Sequence, residues 1–277
     1  MTNPIGVLIG AGGDLLEKFK KAKEMGLDSC QLSIWDENFY CAERAEYVKR
    51  ALEETDFKIS TLWAGWGGPC EWNFKNGPAT IGLVPPAYRE ARAQALIKAS
   101  NFAAMLGVTN IATHVGFLPN DPNDPDFVGT VGALTYVCKH MKNRGQTFLF
   151  ETGQETPMAV VRAIEAIGTG NCGINFDTAN LILYGHGNSL DAVGMFGQYV
   201  RDTHIKDGFY PTTAMGLGHE VPAGEGLANI PAIIKALRAI GYEGPFTIER
   251  EISGEQQQKD IAATREKLLA WMAEAEK

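Results

Sequence analysis

"TFLFETGQETPMAVVRAIEAIGTGNCGINFD" (residues 147–177) is the stretch that decides the fold, because it predicts a strand, a helix and a second strand in direct succession. Thr147–Glu151 is a short apolar run that ends on a carboxylate. "TPMAVVRAIEAIG" follows, with Thr156 as its N-cap and Pro157 in its first turn, as helices often begin. Gly173–Asp177 is a second short apolar run. A strand, a helix and a strand in this order predict two parallel strands joined by a crossover.

The same unit recurs along the whole chain. The predicted strands are Ile5–Ile9, Cys30–Ile34, Lys58–Trp63, Asn110–His114, Thr147–Glu151, Gly173–Asp177, Val200–Lys206 and Pro245–Glu249. Helix-periodic segments lie between them, among them "DLLEKFKKAKEMG", "ERAEYVKRALEET", "PAYREARAQALIKASNFAAMLG" and "NIPAIIKALRAIG". Eight such units in 277 residues, about 35 residues each, predict a (β/α)₈ TIM barrel of the α/β class.

We expect one barrel domain over residues 1–277, since no linker or low-complexity tract interrupts the pattern. A doubly wound parallel sheet is the alternative architecture. It is disfavoured because "GAGG" at Gly10–Gly13 is not the GxGxxG fingerprint of dinucleotide-binding sheets.

Composition and charge exclude several classes of protein. Apolar residues make up 45% of the chain, which is typical of a globular protein, and the net charge of −8 disfavours nucleic acid as a partner. No basic N-terminal segment or long apolar run predicts a signal peptide or a membrane span. The five cysteines are an odd number without CxxC spacing, which favours free thiols and a cytoplasmic location.

Polar residues end the strands of the second half of the barrel. The fifth to eighth strands present Glu151, Asp177, His204 and Glu249, and in such barrels the C-terminal strand ends carry the chemistry. Three carboxylates at one place would raise one another's pKa, whereas a divalent cation would favour their ionised forms. We therefore predict one divalent ion at this site. Oxygen ligands with one imidazole favour Mn²⁺, with Mg²⁺, Co²⁺ and Zn²⁺ as alternatives.

Several motifs resemble those of the xylose isomerase-like TIM-barrel family, which includes sugar isomerases and epimerases, inosose enzymes and endonuclease IV-type nucleases. They are "ATHVGF", "FLFETGQE", "INFDTAN", "THIKD", "GEG" and "GYEGPFTIE". The resemblance implies that the same four residues, Glu151, Asp177, His204 and Glu249, hold a single metal. The chain departs from the nuclease branch because Asn180 stands where nucleases carry a histidine. It departs from the similar ketose 3-epimerases because Lys206 is the only basic residue close behind His204.

This ligand set predicts carbanion chemistry on a small sugar or polyol. A carboxylate next to a polarised carbonyl can take the neighbouring C–H proton and leave an enediolate. Glu151 and Glu249 are the predicted catalytic residues of a metal-dependent sugar isomerase or epimerase. The alternative is a lyase or dehydratase acting on a 3-oxo-glycoside or an inosose. A nuclease and a non-catalytic sugar-binding protein are the further alternatives.

Six residues are predicted to bind the substrate: Trp35, Trp66, His114, Glu155, Asn180 and Lys206. The alternative for Lys206 is a salt bridge to Asp207 or Glu225, and for Glu155 a role at the start of the next helix. Tryptophans after the second and third strands suit the C–H faces of sugars, or else they pack loops or form a homo-oligomer interface. The loops "GFLPNDPNDPDF" and "YPTTAMGLGHEVPAGEG" are long enough to cover a site.

Overall fold

The computed structural model describes residues 3–275 and contains a closed barrel of eight parallel strands. Neighbouring strands around the barrel follow the order of the sequence, and the last barrel strand pairs with the first. The barrel strands are β1 (Ile5–Gly10), β2 (Ser29–Ile34), β3 (Lys58–Ala64), β4 (Asn110–His114), β5 (Thr147–Glu151), β6 (Cys172–Asp177), β7 (Val200–Ile205) and β10 (Phe246–Ile248). The predicted TIM barrel is confirmed.

The strand boundaries follow the sequence closely. Strands β4 and β5 have the predicted bounds. Strand β10 is shorter than predicted at its start because Pro245 has no N–H to donate to a ladder. At the other end the N–H of Glu249 still donates to the carbonyl of Ile205, 3.3 Å away, although Glu249 is no longer in the strand.

Ten α-helices are described between and after the strands. They are α1 (Leu15–Glu24), α2 (Ala42–Thr55), α3 (Gly77–Thr80), α4 (Pro86–Leu106), α5 (Pro125–Lys142), α6 (Pro157–Ile167), α7 (Asn180–Leu183), α8 (Ser189–Phe196), α9 (Ile230–Ala239) and α10 (Glu255–Glu274). The predicted cap of α6 is present, since the Thr156 hydroxyl accepts a hydrogen bond from the Ala159 N–H. Among these helices none is long and apolar enough to cross a bilayer.

Both long loops contain regular structure that the sequence analysis did not predict. Helix α5 begins at Pro125, inside "GFLPNDPNDPDF", because the Asp124 carboxylate caps the Asp126 N–H. The loop after β7 contains a hairpin of β8 (Asp207–Phe209) and β9 (His219–Val221). The buried carboxylate of Asp207 holds this region by accepting four backbone N–H groups, those of Gly208, Gly224, Gly226 and Ala228. The region is therefore an ordered part of the barrel mouth.

The apolar core lies between the barrel and the helices, whereas the barrel interior is partly polar. The fully buried carboxylate of Asp202 accepts hydrogen bonds from Ser60, Thr61 and Thr247 at 2.7–2.8 Å. Gln31 and Asn175 lie in the same interior and are also fully buried. Buried polar groups need hydrogen-bond partners, and these side chains supply them to one another. The network extends from the barrel interior to the C-terminal strand ends, where Gln31 contacts His204.

Candidate metal centre and active site

The four residues that end strands five to eight converge at one point of the barrel mouth. Glu151, Asp177, His204 and Glu249 each offer one atom, and these atoms all lie within 4.8 Å of one another. His204 Nδ1 is 2.9 Å from Glu151 Oε1, 3.2 Å from Glu249 Oε2 and 3.9 Å from Asp177 Oδ2. Three carboxylates around one imidazole nitrogen form a donor set that could hold a divalent cation.

The orientation of His204 is fixed from inside the barrel. Its Nε2 lies 2.9 Å from Gln31 Oε1, and Gln31 Nε2 in turn donates to Asn175 Oδ1 at 2.8 Å. Since the Gln31 amide nitrogen is engaged with Asn175, its oxygen faces the imidazole and accepts the Nε2–H. Asn175 Nδ2 is further from the ring, at 3.3 Å. Because carboxylate oxygens only accept, Nδ1 donates a proton to Glu151 when no ion is bound. Burial lowers the pKa of His204, but the charges of Glu151 and Glu249 outweigh it and raise this pKa well above its usual range. A cation that displaces this proton would meet the Nδ1 lone pair, with Nε2–H still held by Gln31.

The carboxylates are held by groups outside the cluster. Glu151 Oε2 accepts a hydrogen bond from the indole N–H of Trp63, and His114 Nε2 lies 3.3 Å from Glu151 Oε1. Asp177 Oδ1 accepts the N–H groups of Ala179 and Asn180 at 2.7 and 2.8 Å, which leaves Oδ2 facing the cluster. Glu151 and Asp177 are thus held in fixed orientations before any ligand binds.

Lys206 lies fully buried beside the cluster. Its Nζ is 3.0 Å from Glu249 Oε2, 3.1 Å from Asp177 Oδ2 and 3.1 Å from Glu251 Oε1. Its salt-bridge partners are therefore these three carboxylates, and the alternative of a bridge to Asp207 or Glu225 was wrong. The Asp207 carboxylate is instead occupied by backbone N–H groups.

The charge of the cluster fits a divalent ion. Three carboxylates and one ammonium leave two uncompensated negative charges when His204 is neutral. In the absence of a cation, burial raises the pKa of Asp177 to about 8, although Lys206 acts in the opposite direction. One divalent cation would bring the charge to zero and favour the ionised carboxylate. The donor atoms and the charge both fit such an ion.

A sequence profile of the xylose isomerase-like TIM barrel family matches residues 19–274. The chain belongs to this family. Its crystal-structure relative from Planctomyces limnophilus, a xylose isomerase domain protein, is 31% identical, with 99% of both chains covered and a TM-score of 0.93. The family is therefore supported by sequence and by structure.

More distant members of the fold are also similar. A xylose isomerase-like TIM barrel protein from Mycobacterium smegmatis, in complex with magnesium, is 17% identical over 99% of this chain and 98% of that chain, with a TM-score of 0.73. The 3-keto-D-glucoside 4-epimerase from E. coli is 19% identical over 98% of this chain and 99% of that chain, with a TM-score of 0.71. No curated protein matches the chain. At these identities the two structures support the fold alone.

A cavity of about 470 Å³ opens above the cluster, as the family's fold leads one to expect at this end of the barrel. Of the four cluster residues, Glu151 and Glu249 line this cavity, whereas Asp177 and His204 lie beneath it with no exposed surface. The predicted substrate-binding residues His114, Asn180 and Trp35 also line it. The two predicted catalytic carboxylates are therefore the cluster members that can reach a bound molecule.

Three other predicted substrate-binding residues lie behind the cavity wall. Lys206 is covered by the carboxylates that it pairs with. Trp66 is buried, and the guanidinium of Arg92 lies 5.2 Å from the centre of its ring. Glu155 is buried at the strand–helix joint, where its Oε1 accepts the Gly153 N–H and burial raises its pKa to about 8. A direct contact of these three with substrate would require a rearrangement.

Sequence reasoning missed three residues that contact the cluster. Trp63 donates to Glu151, Gln31 accepts from His204, and Asn175 lies 3.4 Å from Glu151 Oε2. A signal for Asn175 was present, because it precedes Asp177 by two residues and so faces the same side of β6. The signal for Gln31 was weaker, because the sequence shows only a polar residue in the middle of the buried strand "SCQLSI". Its partner His204 is 173 positions away.

Four tryptophans, Trp35, Trp63, Trp66 and Trp72, form one side of the mouth, which we call the tryptophan wall. The ring of Trp35 lies 5.1 Å from that of Trp63, 5.4 Å from that of Trp66 and 6.4 Å from that of Trp72, measured between centroids. Gly65 makes this packing possible, because a Cβ on Gly65 would lie 2.5 Å from the Trp35 ring. The wall is therefore a tightly packed aromatic surface, and its member Trp63 contacts Glu151.

Proposed function

We propose that this protein is a divalent-metal-dependent isomerase or epimerase of a keto sugar or a related polyol. The observation that carries the proposal is that Glu151 and Glu249 are the two cluster carboxylates that line the cavity. They approach His204 Nδ1 from β5 and from the end of β10, two strands that are separated by β6 and β7. A bound sugar carbon can therefore have a carboxylate on each side.

The two carboxylates have complementary roles in this proposal. One of them removes the proton from the carbon next to the substrate carbonyl and leaves an enediolate. The other returns a proton to the opposite face, which inverts that carbon and gives an epimer. Return by a single carboxylate to the neighbouring carbon gives an isomer instead. His114 and Asn180, which also line the cavity, are suited to bind the hydroxyl groups that orient the sugar.

Glu151, Asp177, His204 and Glu249 are the residues that would hold the ion. When bound, a divalent cation supplies Lewis acidity toward the substrate oxygens. Lys206 and the Gln31–His204 hydrogen bond hold these donors in place. Mn²⁺ remains the ion that we favour from the donor set, with Mg²⁺, Co²⁺ and Zn²⁺ as alternatives.

The experiment that tests this function is solvent-deuterium exchange into unphosphorylated ketohexoses and 3-oxo-glucosides, with the Mn²⁺-loaded protein. We expect Glu151→Gln and Glu249→Gln each to lose exchange by about 10²- to 10⁴-fold, because a positioned acid or base contributes about that much. Glu225→Gln, an exposed carboxylate outside the site, is the matched control and should retain exchange. Circular dichroism of each variant excludes misfolding as the cause. Undiminished exchange in both site variants would rule out the proposed catalytic pair.

Elimination is the second candidate reaction, and the tryptophan wall is the observation that favours it. A substrate with a leaving group on the second carbon from its carbonyl loses that group from the same enediolate. The wall offers an apolar surface for such a group. Product analysis separates the two reactions, because elimination gives an unsaturated ketone that absorbs in the ultraviolet, whereas epimerisation does not.

A further inference from the structure

The outer part of the tryptophan wall is exposed at the cavity. Trp35 and Trp72 line the cavity with 44% and 40% of their surface exposed, whereas Trp63, which also lines it, and Trp66, which does not, are each 5% exposed. Trp35 and Trp72 meet edge to face at 87°. Exposed apolar area costs about 25 cal/mol per Å², so two indoles held open at a cavity mark a surface that a ligand covers.

The exposed rings lie one ring further out than the catalytic carboxylates. Trp63 separates Trp35 from Glu151, with a Trp35–Trp63 distance of 5.1 Å between centroids. His114 separates Trp72 from Glu151, with a Trp72–His114 distance of 5.2 Å. A sugar ring at the carboxylates would therefore leave Trp35 and Trp72 beside the next group along the molecule. In a glycoside with a cyclic aglycone that group is the second ring.

The charge around the cavity selects against anionic ligands. Four glutamates line it, Glu151, Glu220, Glu249 and Glu251, and no arginine or lysine does so among residues 3–275. Lys206 is the nearest ammonium, and three carboxylates already compensate it. Arg250, which does not line the cavity, is likewise paired with Glu220 at 2.8 Å, so a phosphate placed here would find no unpaired cationic side chain among the lining residues.

The size of the cavity agrees with a two-ring ligand. Its volume of about 470 Å³ exceeds what one hexose ring with its hydroxyl groups requires. It falls within the range of roughly 300–1,000 Å³ that is typical of sites for drug-sized molecules. Its lining residues include four large side chains, those of Trp35, Trp72, Tyr184 and Leu217.

We propose that the substrate is an uncharged keto-glycoside, whose oxidised ring lies at Glu151 and Glu249 and whose second ring stacks on Trp35 and Trp72. This inference rests on the proposed function for the identity of the first ring. In a glycoside C1 is bound in the acetal, so the carbonyl must be at C2, C3 or C4 of the pyranose ring. A free ketose or a phosphorylated monosaccharide leaves the outer tryptophans uncovered.

The test separates binding from reaction by using phenyl and methyl β-D-glucopyranoside, which differ in the second ring and lack the ketone. Isothermal titration calorimetry should give the phenyl glycoside at least tenfold higher affinity for the Mn²⁺-loaded protein. Trp35→Ala and Trp72→Ala should each weaken phenyl glycoside binding by about tenfold and methyl glycoside binding by less than twofold. Trp72→Phe, which retains an apolar ring, should recover most of the affinity.

The control variant is Tyr136→Ala, an exposed aromatic side chain on α5 and outside the cavity, which should leave both affinities unchanged. Equal affinities for the two glycosides would overturn the subsite, even if deuterium exchange into ketoses is observed. So would a ketohexose phosphate that binds as tightly as the phenyl glycoside. Conversely, a phenyl preference that depends on the tryptophans would support the subsite even if no ketone undergoes exchange, in which case only the proposed reaction fails.

Discussion

Gln31 accepts the Nε2–H of His204 and so leaves Nδ1, the nitrogen beside the carboxylates, as the one that can exchange its proton for a cation. Its side-chain oxygen lies 2.9 Å from Nε2, and its nitrogen is occupied by Asn175. An imidazole without this partner can carry its proton on Nδ1, where it competes with a cation for the same lone pair. A residue that never touches the ion can therefore control how tightly the ion binds.

We expect Gln31→Met to weaken Mn²⁺ binding by about 10- to 100-fold, the usual effect of losing a partner of a ligating histidine. The loss should appear at pH 6 and at pH 8 alike, because Glu151 and Glu249, against the effect of burial, raise the pKa of His204 well above its usual range in the ion-free protein. Isothermal titration calorimetry at both pH values measures the affinity. Gln31→Glu retains an acceptor and should bind more tightly than Gln31→Met. An unchanged affinity in Gln31→Met at both pH values would contradict this role.

The sequence predicts individual residues well where a local pattern marks them. Glu151, Asp177, His204 and Glu249 each follow an apolar run, so their convergence followed from the barrel topology alone. Gln31 and Trp63 could not be assigned in this way, because their partners are 173 and 88 positions away and no local pattern encodes such a contact. The metal site at the four cluster residues stays a prediction, as do the catalytic roles of Glu151 and Glu249.

At the scale of the element, the joint between β5 and α6 combines three functions in a few residues. Glu151 ends the strand at the cluster, Thr156 caps the helix, and Glu155 lies buried between them. The Glu155 carboxyl has one oxygen bonded to the Gly153 N–H, and its other oxygen has no hydrogen-bond partner among the described residues. Burial therefore raises its pKa from the ordinary 4.5 to about 8.

This shift predicts a pH-dependent stability. Between pH 4.5 and about pH 8 the folded state binds the Glu155 proton more tightly than the unfolded state does. Stability therefore falls as the pH rises through this window, and the loss is complete above about pH 8. The shift corresponds to at most about 5 kcal/mol, at about 1.4 kcal/mol per unit.

Glu155→Gln should remove this dependence, since an amide does not titrate. The free energy of unfolding of the variant minus that of the wild type should be larger at pH 9 than at pH 5. Urea denaturation of both proteins at both pH values measures this difference. Glu165→Gln, on the neighbouring helix and exposed, is the matched control. A stability difference between Glu155→Gln and wild type that is the same at both pH values would contradict the buried, protonated carboxyl.

Elements were predictable where capping chemistry marks their ends. Helix α4 begins at Pro86 and ends before Gly107, whose φ of 72° suits glycine, and both ends were predicted. The start of α5 at Asp124–Pro125 carries the same kind of signal, but the surrounding prolines and aspartates favoured a loop. The β8–β9 hairpin could not be predicted, because three-residue strands are too short to show alternation.

At the scale of the whole molecule, the cluster connects the barrel strands that end at it. A ligand that binds only the folded state stabilises it by mass action, by about 2.7 kcal/mol at 100 times its dissociation constant. The cluster residues come from β5, β6, β7 and the chain after β10. A bound ion would therefore stabilise the packing of these four segments in the folded barrel.

Addition of Mn²⁺ to the chelator-treated protein should therefore raise its thermal midpoint by about 5–10 °C at this saturation, at about 2–4 °C per kcal/mol. Differential scanning calorimetry with and without the ion measures the shift. Asp177→Asn should abolish it, whereas Asp191→Asn, on the exposed side of α8, should retain it. The same midpoint for wild-type protein with and without Mn²⁺ would contradict a structural contribution of the ion.

The global organisation was largely predictable, because eight repeats of one unit leave few alternatives to a barrel. The single-domain organisation, the cytoplasmic location and a possible homo-oligomer stay predictions. All five cysteines are free in the structure.

Gly65 has a consequence for how this protein could acquire new substrates. It contacts no ligand in our proposals, yet the space that its missing side chain leaves is filled by the Trp35 ring. A methyl group there would displace an indole of the cavity wall while every lining residue kept its identity. Laboratory evolution aimed at the lining residues alone would overlook this position. A library that includes residue 65 would instead contain variants whose cavity entrance differs in width, even where the substitution adds only one carbon atom.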